Sequence, residues 1–257
     1  MNKVCFITGA STHNGRTMAL KIAEAGYDLA IHHSGRDKEG AETLKEAVEA
    51  MGRRAEIFEE DFTKDGAAAR VFTKFREKFD RLDLFVNNAG ITRLKLIPDF
   101  SEEDFAPLLN VDLKAAMFCI KEACEFMREK KIEGSVIVIA SNHHDRIWRG
   151  GAFYGSVKEA LCRYVKYAAV EYGRDKIRVN ALAPGYIYWE QEEAQKNVKI
   201  DEICEREIPL HRFVTSSELA AWALFISGPA AKSLTGQVID IDGGASLLND
   251  SMDRYGY

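Results

Sequence analysis

The sequence predicts an α/β chain: one doubly wound domain over residues 1–257, with a seven-stranded, mostly parallel sheet and helices on both faces. Three observations predict it. Short apolar runs alternate with helical stretches of about 10–25 residues from end to end, the pattern of repeated βαβ units. The runs are apolar throughout, as strands covered on both faces are. Several end in turns rich in glycine, asparagine or serine, at the sheet edge where open α/β sheets hold ligands. No linker or composition break divides the chain.

The elements follow in order. Lys3–Thr8 is an apolar run ending at Gly9, a buried strand. In Arg16–Ala25 the apolar members are Met18, Leu20, Ile22 and Ala23, a helix stopped at Gly26. Leu29–Ile31 is a second strand, Lys38–Met51 a helix and Arg54–Phe58 a third strand. Val71, Phe72, Phe75 and Phe79 share one face of a further helix. Leu82–Val86 is a fourth strand, closed by Asn87-Asn88-Ala89-Gly90. Ser101 with Asp104 three residues on is an N-terminal capping signal, opening a helix that runs to about Lys130. Ser135–Ala140 is the most strand-like run. Ala152–Gly173 is a long helix, and Ile177–Leu182 a strand ended by Pro184-Gly185. Glu190–Glu207 is a polar helical segment, Ser217–Ile226 a helix, and Gln237–Ile241 the last strand before Asp242-Gly243-Gly244.

Composition narrows the function classes. A net charge of −5 with no basic run argues against nucleic acid and anionic membrane as partners. The five cysteines form no CxxC pair and no even framework, and read as reduced, buried thiols. No 18-residue apolar stretch and no leader-like N-terminus is present, so the expected location is the cytoplasm.

Two stretches carry chemistry. Thr8–Gly15 lies between the first strand and first helix, where backbone N–H groups and the helix N-terminus can hold a pyrophosphate. The second stretch is Ser141–Lys158. A Tyr-x-x-x-Lys pattern alone decides nothing: roughly 0.6 matches arise by chance in this composition. A second match, Tyr172 to Lys176, shows as much. Context separates the two. Thirteen residues before Tyr154 stands Ser141, at the C-terminal end of a strand; thirteen before Tyr172 stands Glu159. Tyr154 and Lys158 are four apart and share a helix face. An ammonium beside a phenol favours phenolate, which suits the tyrosine to proton transfer near neutral pH. Ser141 can hydrogen-bond the same substrate oxygen.

These motifs, in this order, resemble the short-chain dehydrogenases/reductases over essentially the whole chain. Thr8–Gly15 matches the family's T-G-x3-G-x-G in part; Asn87–Gly90 is its N-N-A-G, and Asn110-Val111-Asp112 its N-V-D. Ser141, Tyr154 and Lys158 match S-x12-Y-x3-K, Pro184-Gly185 the P-G after strand six, and Leu234–Gly244 the C-terminal L-T-G-Q-V to D-G-G. The resemblance implies a Rossmann-type nicotinamide site and a catalytic tetrad of Asn110, Ser141, Tyr154 and Lys158. Tyr154 would exchange the proton with the carbonyl or alcohol oxygen, and Ser141 would position that oxygen. Lys158 would act on the tyrosine and the ribose, and Asn110 would hold a relaying water. Cofactor contacts are implied for Gly9, Ser11, His13, Asn14, Gly15, Asp61, Phe62, Asn88, Ala89, Gly90, Tyr154, Lys158, Pro184, Gly185 and Ile187. Asp61 matches the residue beside adenine. Two departures stand out: His13 replaces the family's middle glycine, with Asn14 beside it, and Trp189 stands where a threonine is common.

The ribose-reading position falls on His33, where NAD enzymes commonly carry aspartate. Here the run is His32-His33-Ser34-Gly35-Arg36. Ser34 and Arg36 suit a 2′-phosphate, so NADP(H) is expected over NAD(H). On the substrate side, the candidate lining is Asn142–Arg149, Thr92–Leu96 and Tyr186–Glu193, with His143, Tyr186 and Trp189 the candidate contacts. No metal site is expected. The expected function is hydride transfer between NADP(H) and a carbonyl or secondary alcohol, including a sugar or polyol. Alternatives are 3-oxoacyl or hydroxysteroid reduction, and a non-catalytic dinucleotide-sensing protein on the same fold. Helix pairing between subunits, as in the family, implies a homodimer or homotetramer.

Overall fold

In the computed structural model, which describes residues 2–188 and 200–248, seven strands form one sheet. They are β1 Lys3–Ile7, β2 Tyr27–His33, β3 Ala55–Glu59, β4 Leu84–Asn87, β5 Ser135–Ile139, β6 Arg178–Pro184 and β9 Val238–Ile241. Their order is β3-β2-β1-β4-β5-β6-β9, and every pairing in the sheet is parallel. The two short strands between β6 and β9, β7 Ile187–Tyr188 and β8 Val214–Thr215, pair separately. The sequence pattern gave no sign of them, since two residues carry no periodicity.

Side chains alternate across each strand and so feed two cores. One face of the sheet, with Cys5, Ile7, Leu29 and Val86, packs on α1 His13–Glu24, α2 Lys38–Ala50 and α8 Ser216–Ser227. The other face, with Val4, Phe6, Phe85 and Val138, packs on α3 Ala67–Lys78, α5 Ala116–Glu129 and α6 Ala152–Tyr172. Phe6 and Phe75 stack there with ring centroids 5.1 Å apart. All five cysteines are buried. This is the doubly wound arrangement that the sequence predicts.

The structure refines three segments. The Ser101/Asp104 signal is a full capping box opening α4 Glu102–Leu109. The expected single helix to Lys130 is interrupted by a π-helical turn at Asn110–Ala115 before α5 begins. Such turns mark places where a helix must re-aim side chains. Of the polar segment Glu190–Glu207, Ile200–Glu207 is helix α7, and residues 189–199 lie outside the described part.

The chain reverses its winding between β1 and β4. That is the switch point of the sheet, and loops leaving the C-terminal ends of both strands meet there.

Candidate active site

The turn after β1 and the turn after β4 are bonded to each other. Thr8 Oγ1 accepts from the backbone N–H of Asn88 and of Ala89, both at 3.0 Å, and Asn88 Nδ2 donates to the carbonyls of Thr8 and Gly9. Gly15 sits so close that a Cβ there would lie 2.0 Å from Gly9 O and 2.7 Å from Asn88 Nδ2. No side chain fits, which explains this glycine sterically. His13 occupies the position of the missing glycine with φ at +47°, the left-handed region. The backbone thus keeps the conformation a glycine would give, and the histidine carries the strain. α1 starts with no side-chain cap on Thr12 and no acidic residue in its first turn. Its N-terminal N–H groups face a cleft and suit an anionic group. Asn14 Oδ1 accepts from Ser216 Oγ at 2.7 Å, which ties this turn to α8.

Beside the turn, the C-terminal end of β2 carries two buried histidines. His32 Nδ1 accepts from Gly9 N, and its ring stacks on Phe62 with centroids 4.1 Å apart. Burial lowers its pKa to about 4, so the ring is neutral. His33 Nδ1 accepts from Gly35 N at 3.1 Å. Ser34 and Arg36 are exposed at the rim of the cleft. Asp61 Oδ1 accepts from both N and Oγ1 of Thr63, which holds its carboxyl below the usual range.

At the other end lie the remaining sequence candidates. Ser141 lies two residues past the end of β5, and its Oγ accepts from His143 N at 3.3 Å. Tyr154 and Lys158 lie one turn apart on α6, both buried, with Nζ 5.5 Å from the tyrosine ring centroid. The ammonium is also 2.9 Å from Asp112 Oδ1. Burial works against the Lys158 charge, but Asp112 and then Tyr154 outweigh it, and its pKa is raised. Asn110 opens the π-helical turn. Its amide donates to Thr63 O at 3.2 Å, whereas Val111 and Asp112 line the cleft.

The substrate side divides the polar run after Ser141. His143 turns inward. Its ring stacks on Trp148 at 4.2 Å and meets the Tyr154 ring edge-on at 5.2 Å. Burial, helped by Arg146, lowers its pKa to about 4. A Cβ on Gly151 would come within 2.8 Å of His143 Nδ1, so the stack needs glycine there. His144 turns away, with its nitrogens 3.1 Å from Asp240 and 3.5 Å from Glu159, and its pKa is raised by those contacts. Tyr186 donates to Glu207 and stacks on Phe213. Of Thr92–Leu96 only the first three residues line the cleft, and Arg93 and Lys95 both pair with Asp104. Trp189 lies outside the described residues.

One cleft of about 920 Å³ joins all this. Gly9, Ser11, His13–Gly15, His33, Ser34, Arg36, Asp61, Phe62, Asn88–Gly90, Ser141, Tyr154, Lys158, Pro184, Gly185 and Ile187 all line it. The uncapped start of α1 and the close approach of Gly15 to Gly9 and Asn88 fit the pyrophosphate of a dinucleotide. His32, Asp112 and Phe213 also line it and were not among the candidate contacts read from the sequence. A signal existed for His32: a polar residue at the end of an otherwise apolar strand.

Comparison with known proteins agrees with this geometry. The model of a family described as enoyl-(acyl carrier protein) reductase matches residues 9–246. The 3-oxoacyl-[acyl-carrier-protein] reductase FabG of Staphylococcus epidermidis is 32% identical over 244 residues, 95% of this chain and 99% of the relative. The chain belongs to the short-chain dehydrogenase/reductase family. Among solved members, acetoin dehydrogenase from Enterobacter cloacae superposes with a TM-score of 0.88 at 31% identity, covering 97% of this chain and 98% of that one. ElxO with NADP bound superposes with a TM-score of 0.87 at 28% identity, covering 96% and 100%. As a short-chain dehydrogenase/reductase the protein is an NAD(P)-dependent oxidoreductase acting on a small molecule. No helix among the described residues is long and apolar enough to cross a membrane.

Proposed function

We propose that this single-domain protein reduces a small hydroxylated ketone, or oxidises the matching secondary alcohol, with NADP(H). The observation that carries the reading is the meeting of Ser141, Tyr154 and Lys158 in the cleft that begins at the glycine turn. Bound nicotinamide supplies or accepts the hydride. Tyr154 gives the carbonyl oxygen its proton, or takes it from the alcohol. Ser141 directs its hydroxyl hydrogen to that oxygen, because its own lone pair is engaged by His143 N. Lys158 holds positive charge beside the tyrosine. Asn110 acts through the π-helical turn, anchoring it to Thr63.

NADP(H) is preferred because Ser34 and Arg36 stand at the rim and no aspartate occupies the His33 position. The NADP named with ElxO supports the same choice. A polar substrate is favoured by His143, a neutral imidazole on the cleft wall beside Tyr154. A second reading, 3-oxoacyl reduction, has the FabG relative in its favour. Phe118, Tyr167 and Val170 are exposed on α5 and α6, which suits a homodimer or homotetramer through these helices. The buried thiols suit a reducing, cytoplasmic setting.

A substrate screen tests this. Reduced-nicotinamide absorbance is followed with sugars, hydroxy-ketones and 3-oxoacyl thioesters, each with NADPH and NADH. Turnover of hydroxy-ketones or sugars with NADPH, lost about 10²–10⁴-fold in Tyr154→Phe, is the expected result. Preference for 3-oxoacyl thioesters, or for NADH, overturns the corresponding part.

A further inference from the structure

The carboxylate of Asp112 has no part in the tetrad, yet it is the group nearest the Lys158 charge. Its side chain is fully buried, and that of Lys158 is 6% exposed. Oδ2 accepts from Ile91 N at 2.8 Å, the first backbone N–H beyond the Asn87–Gly90 turn. Oδ1 has the ammonium 2.9 Å away as its ion-pair partner. Gly90 makes room for this meeting. A Cβ there would lie 2.8 Å from Oδ1 and 3.5 Å from Nζ. The π-helical turn brings the carboxylate to this point, since Asp112 lies within it.

Charge balance gives the arrangement a consequence. A lone ammonium near a phenol draws off the phenol proton. An ammonium with a carboxylate at 2.9 Å is a dipole, and its field falls away faster than that of a single charge. Among the described residues, Cys162 also acts on Lys158 and His143 meets the Tyr154 ring; burial pushes the thiol up to about 12 and the imidazole down to about 4, which leaves both neutral. The buried set of Asp112, Lys158 and Tyr154 therefore has no net charge while the phenol keeps its proton.

We propose that Asp112 is a positioning residue that balances Lys158, keeps Tyr154 a proton donor near neutral pH and so sets the site for carbonyl reduction. This rests on the reading of Tyr154 as the acid–base group. In that direction the phenol O–H breaks as the substrate O–H forms, while the substrate carbon takes the hydride from reduced nicotinamide. The phenolate left behind takes its next proton from solvent.

Asp112→Asn keeps an acceptor for Ile91 N and removes the charge. Ultraviolet difference titration of the cofactor-free protein, each form minus the same form with Tyr154→Phe, isolates one phenol among nine tyrosines. The expected midpoint in Asp112→Asn is about one pH unit more acid than in wild type, because a site with net positive charge gives up its first proton more easily. The rising limb of kcat/KM for alcohol oxidation moves with it. Asp112→Glu restores the midpoint to that of wild type. An unmoved midpoint in Asp112→Asn overturns the proposal, as does an equal shift in Asp112→Glu, which would mean that geometry and not charge matters. If Asp112→Asn does not fold, Asp112→Ser carries the same measurement. Turnover retained by Tyr154→Phe overturns the tetrad reading instead, and the titration still reports on Asp112.

Discussion

His32 Nδ1 accepts a hydrogen bond from Gly9 N at 3.1 Å while its Nε2 lies 2.9 Å from Glu60 O. An accepting Nδ1 leaves the ring proton on Nε2, which donates to the carbonyl. One buried ring thus ties the glycine turn to the end of β3. Protonation would place a donor against Gly9 N–H, so acid breaks the tie. The folded pKa, about 4, is below the ordinary 6.5. The contribution is therefore complete above pH 6.5 and is lost as pH falls toward 4, by about 3 kcal/mol. Stabilities of wild type and His32→Gln from denaturant melts, plotted against pH, should diverge by about that amount across this range. Parallel curves would show that His32 is not the titrating group.

His13 should be improvable. Its left-handed backbone costs about 1–2 kcal/mol, and glycine returns about 0.5–1 of that as chain entropy. His13→Gly is expected to gain up to about 1 kcal/mol of stability and to bind NADPH at least as tightly. Weaker NADPH binding in a protein of raised Tm would mean that the imidazole itself holds the cofactor.

Arg36 should discriminate between the two nicotinamide cofactors. A charged hydrogen bond to a 2′-phosphate is worth about 1.5–3 kcal/mol, or roughly 10- to 100-fold. Arg36→Ala is expected to lower kcat/KM by that factor with NADPH and to leave NADH unchanged. Equal losses with both would place Arg36 outside the phosphate contact.

The His143 stack makes a prediction of a different kind. His143→Phe keeps an aromatic ring between Trp148 and Tyr154 but removes both nitrogens. KM for a hydroxylated substrate should rise about fivefold, the worth of one neutral hydrogen bond, with kcat little changed. Because the pKa is about 4, the ratio of variant to wild type should be flat from pH 5.5 to 8. A ratio that varies over that range would mean that the ring ionises during turnover.

The fold was legible because each strand is a short apolar run bounded by turn residues, and because α3 shows its buried face as Val71, Phe72 and Phe75. Sequence spacing also pointed to Ser141, Tyr154 and Lys158, which line one cleft. What it did not reveal depends on contacts between distant segments. Asp112 was visible inside its motif, but its 2.9 Å approach to Lys158 requires the π-helical turn and the bare Cα of Gly90. His143 and His144 are adjacent and alike in sequence, and the backbone alone sends one into the cleft and the other to Asp240. The strands Ile187–Tyr188 and Val214–Thr215 are too short to carry a pattern.

The enclosed cysteines have a practical consequence. All five sulfurs are shut away, and burial pushes the thiols of Cys5, Cys119, Cys124 and Cys162 upward. A reagent that attacks thiolate finds almost none of it on the native molecule. Labelling therefore has to wait for the chain to open, and the rate of mass gain becomes a clock for that opening. Every variant named above can be timed by this clock without adding a dye, a tag or a new residue.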